Sequence, residues 1–116
     1  MAVKRIVPVI AATSLADARA FYGDILGMEV LMDHGWIVTY GSDAPTTPQL
    51  SIATAGGSGA PVPDLSIEVD DLDAVLRRIE AAGVPLVYGP VVEPWGVRRF
   101  FVRDPLGRLL NILCHV

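Results

Sequence analysis

The chain has 116 residues, of which 52% are apolar and 19% charged, which suffices for one domain with a core but not for two ordinary domains. Its net charge of −4 lies on scattered residues with no basic stripe to neutralise phosphates, so nucleic acid is not an expected partner. The single cysteine, Cys114, excludes an internal disulfide and a Cys-rich zinc site, and no apolar run approaches the roughly 20 residues of a membrane helix.

The opening Met-Ala-Val-Lys-Arg carries no cleavage-type segment, so the cytoplasm is the expected compartment. Residues 5–11 are apolar and β-branched and predict a strand. Ser14, with Asp17 three residues on, starts a helix whose buried face takes Leu15, Ala18, Tyr22 and Ile25, with Phe21 beside them. Gly27 suits the left-handed position that ends it. Strands at 29–33 and 36–41 are joined through a turn at His34-Gly35, and 49–54 predicts a fourth strand. The Gly-, Ser- and Pro-rich stretch 55–63 reads as a linker.

Beyond the linker the order repeats. A strand at 64–69 leads to a helix capped by Asp70 or Asp71 and closed by Gly83, with Leu72, Val75, Leu76 and Ile79 on its buried face. Strands follow at about 85–91, 97–103 and 108–114, the last two joined by Asp104-Pro105-Leu106-Gly107. Leu15 and Leu72 lie 57 positions apart, as do Val7 and Asp64. The expected fold is therefore α+β, a single domain of two βαβββ modules, about 1–54 and 64–116. Their sheets would form a trough, with a helix on the opposite face of each.

Three segments resemble the vicinal-oxygen-chelate superfamily of glyoxalases, bleomycin-resistance proteins and extradiol dioxygenases. The first runs from Leu15 through Phe21-Tyr22 to Leu26-Gly27-Met28-Glu29-Val30 and the second is Ile67-Glu68-Val69-Asp70-Asp71-Leu72 with Gly83-Val84. The third joins Pro94-Trp95-Gly96 to Phe100-Phe101-Val102-Arg103-Asp104-Pro105-Leu106-Gly107. Taken singly, these residues are helix packing and turn chemistry; it is their order and coverage that carry the resemblance. Metal-dependent members place His or Gln on the first strand of each module and Glu on the last, holding a divalent ion. The resemblance puts Val7, Ser51, Asp64 and Asn111 at those four positions. Valine has no donor atom and Ser and Asn are weak neutral ligands, so no metal and no cofactor is expected.

What remains is an aromatic and polar lining. Arg99, Phe101 and Arg103 share one strand face and Phe100 and Val102 the other, and the resemblance implies that Arg99 and Phe101 face the trough while Phe100 and Val102 meet the helix. Trp36, Val38 and Tyr40 share one face of the third strand, and Trp95 stands at a loop mouth. With Val7, Ser51, Asp64 and Asn111, the residues Trp36, Tyr40, Trp95, Arg99 and Phe101 make the expected ligand-binding set, suited to a planar organic molecule. The ordinary alternative is core packing for these aromatics and a solvated Asp64. Asp104 should bond nearby backbone N–H groups, and His34 and His115 are exposed polar ends. Cys114 and His115, adjacent on a strand, point to opposite faces and form no nucleophile pair. The leading expectation is a non-metal small-molecule-binding protein of the bleomycin-resistance type, sequestering an antibiotic or metabolite. A homodimer is expected from apolar surface at Val7, Val9 and Phe101. The alternative is a metal-independent or atypical enzyme of this superfamily (a lyase, isomerase or transferase) with Asp64 as its base.

Overall fold

Residues 2–116 are described in this computed structural model. In chain order they form β1 (Val3–Ala11), α1 (Leu15–Ala18) continued by a π-helical stretch (Arg19–Ile25), β2 (Glu29–Asp33), β3 (Ile37–Gly41) and β4 (Gln49–Ala53). The same order follows as β5 (Leu65–Val69), α2 (Leu72–Ala81), β6 (Tyr88–Glu93), β7 (Val97–Arg103) and β8 (Leu109–His115). The chain divides into two compact units, Val7–Val62 and a second made of residues through Ile6 together with Pro63–Val116. β1 thus straddles the division, which a boundary at the glycine-rich stretch alone did not anticipate.

In the first unit the strands run in the order β2-β3-β4-β1, with β1 parallel to β4. In the second they run β5-β8-β7-β6, with β5 parallel to β8. A parallel pair needs a long crossover, and in each unit the helix supplies part of it. Both helices begin where the sequence places a cap. The Ser14 hydroxyl accepts from Asp17 N–H at 3.2 Å, and the Asp71 carboxylate accepts from Ala74 N–H at 3.0 Å. Gly27 (φ 69°) and Gly83 (φ 71°) take the left-handed conformation after each helix.

Burial of one face of each helix builds the two cores. Val38, Tyr40 and Ile52 pack against Ala12, Leu15, Ala18 and Tyr22 in the first. Phe100, Val102, Ile112, Val69 and Leu72 pack against Val75, Leu76 and Ile79 in the second. Each such aliphatic or phenyl side chain contributes about 1.5–3 kcal/mol when fully buried.

Three expectations are corrected. Ile25 is 70% exposed instead of buried, and Phe21 is 50% exposed. Helical winding widens after Ala18, with Leu26 N–H donating to the Phe21 carbonyl five residues back at 3.0 Å. Each wider turn swings the residues that follow round the axis, so Ile25 leaves the stripe that Leu15, Ala18 and Tyr22 define. The strand expected at 85–91 begins at Tyr88 and ends at Glu93, its pairing with β7 interrupted between Tyr88 and Val91 beside Gly89 (φ 75°).

The stretch 55–63 is not a slack linker. Gly56 N–H donates to the Ala60 carbonyl at 3.0 Å and Ala60 N–H to the Gly57 carbonyl at 2.9 Å, and Gly56, Gly57, Ala60 and Pro63 are buried. A Cβ built on Gly56 would lie 2.0 Å from the Pro61 carbonyl oxygen and 2.5 Å from that of Ala60. Backbone cannot move aside as a flexible side chain can. Gly56→Ala should therefore cost about 1–3 kcal/mol, the usual scale for overpacking, read as a lower urea midpoint. An unchanged midpoint would show that this turn is loose.

Candidate functional site

Pleat alternation and register decide which side chains face away from the helices. In the first unit Val9 lies level with Ser51, and Ser51 with Thr39. These residues project from the face opposite the helix, because their neighbours Ile52, Val38 and Tyr40 belong to the helix-side core. The expected site residue Tyr40 therefore does not share a face with Ser51. It is fully buried at 0% exposure and lies 6.0 Å, centroid to centroid, from the Tyr22 ring. Residues two apart on a strand face one way, so grouping Tyr40 with Val38 was correct and the side assigned to them was not. Trp36 lies just before β3, half-buried and stacked 6.2 Å from the exposed His34 ring. The residue that the sequence reading missed is Thr39. Its hydroxyl and that of Ser51 share a hydrogen bond at 2.7 Å, both groups buried. A single threonine between two large apolar residues was the available signal. Val7 is buried at 5% exposure.

In the second unit Ser66 lies level with Asn111, and Asn111 with Phe101. Phe100 and Val102 meet α2, as expected, so Phe101 and Arg99 project from the opposite face. Asn111 Nδ2 donates to Ser66 Oγ at 3.1 Å, whereas Asn111 Oδ1 is buried with no hydrogen-bond partner. Phe101, at 0% exposure, packs edge-on to Tyr88 with centroids 5.3 Å apart.

Beside it, Arg99 Nε donates to Glu93 Oε2 at 2.7 Å, and the Tyr88 hydroxyl donates to the same oxygen at 3.1 Å. The side chains of Arg99 and Glu93 are each 3% exposed. Three rings surround the guanidinium, with Phe101 at 4.8 Å, Trp95 at 4.9 Å and Tyr88 at 5.3 Å from its central carbon. Trp95, expected at a loop mouth, is half-buried in the β6–β7 turn over this guanidinium. Glu93, Tyr88 and Ser66 were not legible as site residues. Their link to Arg99 and Asn111 depends on strand register, which no local motif announces.

The remaining polar candidates have structural partners. Asp64 Oδ2 accepts from Leu109 N–H at 2.9 Å, and Asp64 N–H donates to the Leu109 carbonyl at 2.8 Å. Half-buried Asp64 thus ties the start of β8. Asp104 Oδ1 accepts from Leu106 and Arg108 N–H, both at 2.9 Å, the turn role expected of it. Cys114 packs on the helix side, whereas His115 Nδ1 lies 2.9 Å from Glu68 Oε2, so the two do point apart. Glu68 also faces Arg5 at 3.2 Å and Lys4 at 3.8 Å. Burial alone would push its carboxyl up; the His115 hydrogen bond and the charges of Arg5, His115 and Lys4 outweigh that and hold it below the usual value. Val7, Val9 and Phe101, whose apolar surface was expected to require a second copy, are already buried in the single chain.

These side chains do not fit a divalent metal ion. Val7 has no donor atom, the Ser51 hydroxyl is bonded to Thr39, the Asp64 carboxylate to Leu109 N–H and the Asn111 amide to Ser66. One carboxylate among neutral groups is a poor set for a transition metal.

The sequence profile of the Glyoxalase/Bleomycin resistance protein/Dioxygenase superfamily matches residues 4–112. The chain belongs to this superfamily. Solved structures share its fold. One is a superfamily member from Vibrio splendidus, 19% identical, covering 99% of this chain and 100% of that one at a TM-score of 0.68. Another is described as an NAD-dependent benzaldehyde dehydrogenase from Legionella pneumophila, 17% identical, covering 97% and 100% at a TM-score of 0.75. A methylmalonyl-CoA epimerase from Streptomyces coelicolor, 21% identical, covers 99% of each chain at a TM-score of 0.72. No curated protein matches this sequence. Identities at this level establish the superfamily fold and leave the chemistry to the residues themselves.

Proposed function

We propose that this superfamily member binds a small organic molecule on the helix-free face of its second unit, without a resident metal. The observation that carries the reading is Asn111 Oδ1, a buried acceptor with no partner, on the strand position where metal-dependent relatives are expected to present a carboxylate. Such an atom costs about 1–3 kcal/mol unless something donates to it. Phe101, level with Asn111, supplies a ring beside it. Sequestration of an antibiotic or metabolite, by a cytoplasmic homodimer, is the use that such binding suits. Exposed Phe21, Ile25, Leu26, Val30 and Leu31 offer apolar surface to a second copy. The enzyme alternative would use Asp64, whose Oδ2 accepts from Leu109 N–H.

A thermal-shift screen of aromatic and heteroaromatic compounds on the wild type and on Asn111→Leu tests the reading. At least one compound should raise the wild-type Tm and bind the folded variant about tenfold more weakly, the scale of one lost buried hydrogen bond. A screen with no such compound would count against it. So would elemental analysis giving near one metal per chain that disappears in Asp64→Ala.

A further inference from the structure

The chemical class of the ligand is written in how the charges of this face are already used. Resting on the binding reading above, we infer that the site selects an uncharged, hydrogen-bond-donating aromatic molecule (a phenol-like or amide-like donor) and that Asn111 is the residue that selects it.

On the helix-free face of the second unit the two most deeply buried ionic groups, Arg99 and Glu93, are paired with each other. The Arg99 guanidinium, the only cation there with so little exposure among the described residues, is held by Glu93 and enclosed by Phe101, Trp95 and Tyr88. An incoming carboxylate or phosphate would have to displace Glu93 and leave that carboxylate, itself 3% exposed, without its cation. Of the other acids on the face, Glu68 is engaged by His115, Arg5 and Lys4, and Asp64 accepts from the Leu109 N–H. The unmet group is neutral. Asn111 uses Nδ2 on Ser66 Oγ, which leaves Oδ1 as an acceptor buried with its residue at 8% exposure. A neutral donor satisfies it without desolvating an ion. A site with a buried acceptor rejects the analogue that lacks the donor, because the acceptor is then left unpaired. Phe101 lies level with Asn111, so an aromatic body attached to that donor would reach this ring by displacing the groups that now bury it fully.

Four naphthalene probes of one size separate the possibilities: naphthol, methoxynaphthalene, naphthoate and naphthylmethylamine. Each is titrated by tryptophan fluorescence into the wild type, Asn111→Leu and Asn111→Asp. Naphthol should bind the wild type about tenfold more tightly than the other three. The advantage should vanish in Asn111→Leu and persist in Asn111→Asp, which keeps an acceptor oxygen. Melting temperatures identify any variant that fails to fold, and the wild-type comparison of the four probes stands without either variant. If naphthoate or the amine binds best, or naphthol's advantage survives Asn111→Leu, the inference is overturned while the binding reading stands. If none of the four binds, both the inference and the binding reading that it rests on are overturned.

Discussion

Replacing Glu93 with leucine should lower the stability of the fold by about 3–5 kcal/mol, the cost of breaking a buried pair by removing one partner. The carboxylate is the ionic partner of Arg99, and both side chains are 3% exposed, so water cannot take over its role at the surface. The rings of Phe101, Trp95 and Tyr88 would still surround the guanidinium, but ring contacts are worth only about 0.5–2 kcal/mol each and do not balance a buried charge. Tyr88 would lose its acceptor in the same step. Changing Arg99→Met in the same chain should recover a large part of the loss, because the stranded charge leaves with it. Urea unfolding of the two single variants and the double variant measures this. A Glu93→Leu cost below about 1 kcal/mol, the range of surface pairs, would mean that the pair is solvated.

Phe100 and Phe101 are neighbours in sequence, and their alanine variants should fail in different ways. Both rings are fully buried, so each truncation should cost about 3–5 kcal/mol of stability. Only Phe101 shares the face of Asn111. Phe101→Ala should therefore also weaken naphthol binding by about 1–3 kcal/mol, the value of a buried aromatic contact. Phe100→Ala, on the α2 side, should leave binding within about threefold wherever the protein remains folded. Melting temperature and probe titration on the same samples separate the effects. Weaker binding in Phe100→Ala alone would mean that the ligand sits on the helix side of the sheet.

Much of the fold was legible because local signals agreed with one another. Ser14 and Asp71 cap their helices, Gly27 and Gly83 end them, and Leu72, Val75, Leu76 and Ile79 repeat at helical spacing against the core. The superfamily followed from the order of three modest motifs. The candidate site was only partly legible. The superfamily resemblance put Asn111, Ser51, Arg99 and Phe101 on the faces away from the helices, where they lie, whereas Tyr40 was put on the wrong side of β3. A period of two tells which residues share a face without telling which face the helix covers. Thr39, Ser66, Tyr88 and Glu93 escaped notice because each matters through a cross-strand neighbour far away in sequence. The linker was misread for a different reason. Gly, Ser and Pro mark both slack chain and tight turns, and only the Gly56–Ala60 hydrogen bond distinguishes them.

The chain has two tryptophans, and they fall in different units, Trp36 in Val7–Val62 and Trp95 in the unit that includes Pro63–Val116. Trp36 stacks on an imidazole and Trp95 on a guanidinium, so their indoles sit in chemically different surroundings. With one indole changed to phenylalanine, the emission of the other becomes a reporter of its own half. Superimposed denaturation curves from the two single-tryptophan proteins would mean that the halves melt as one cooperative unit; separated curves would mean that each duplicated module keeps a stability of its own.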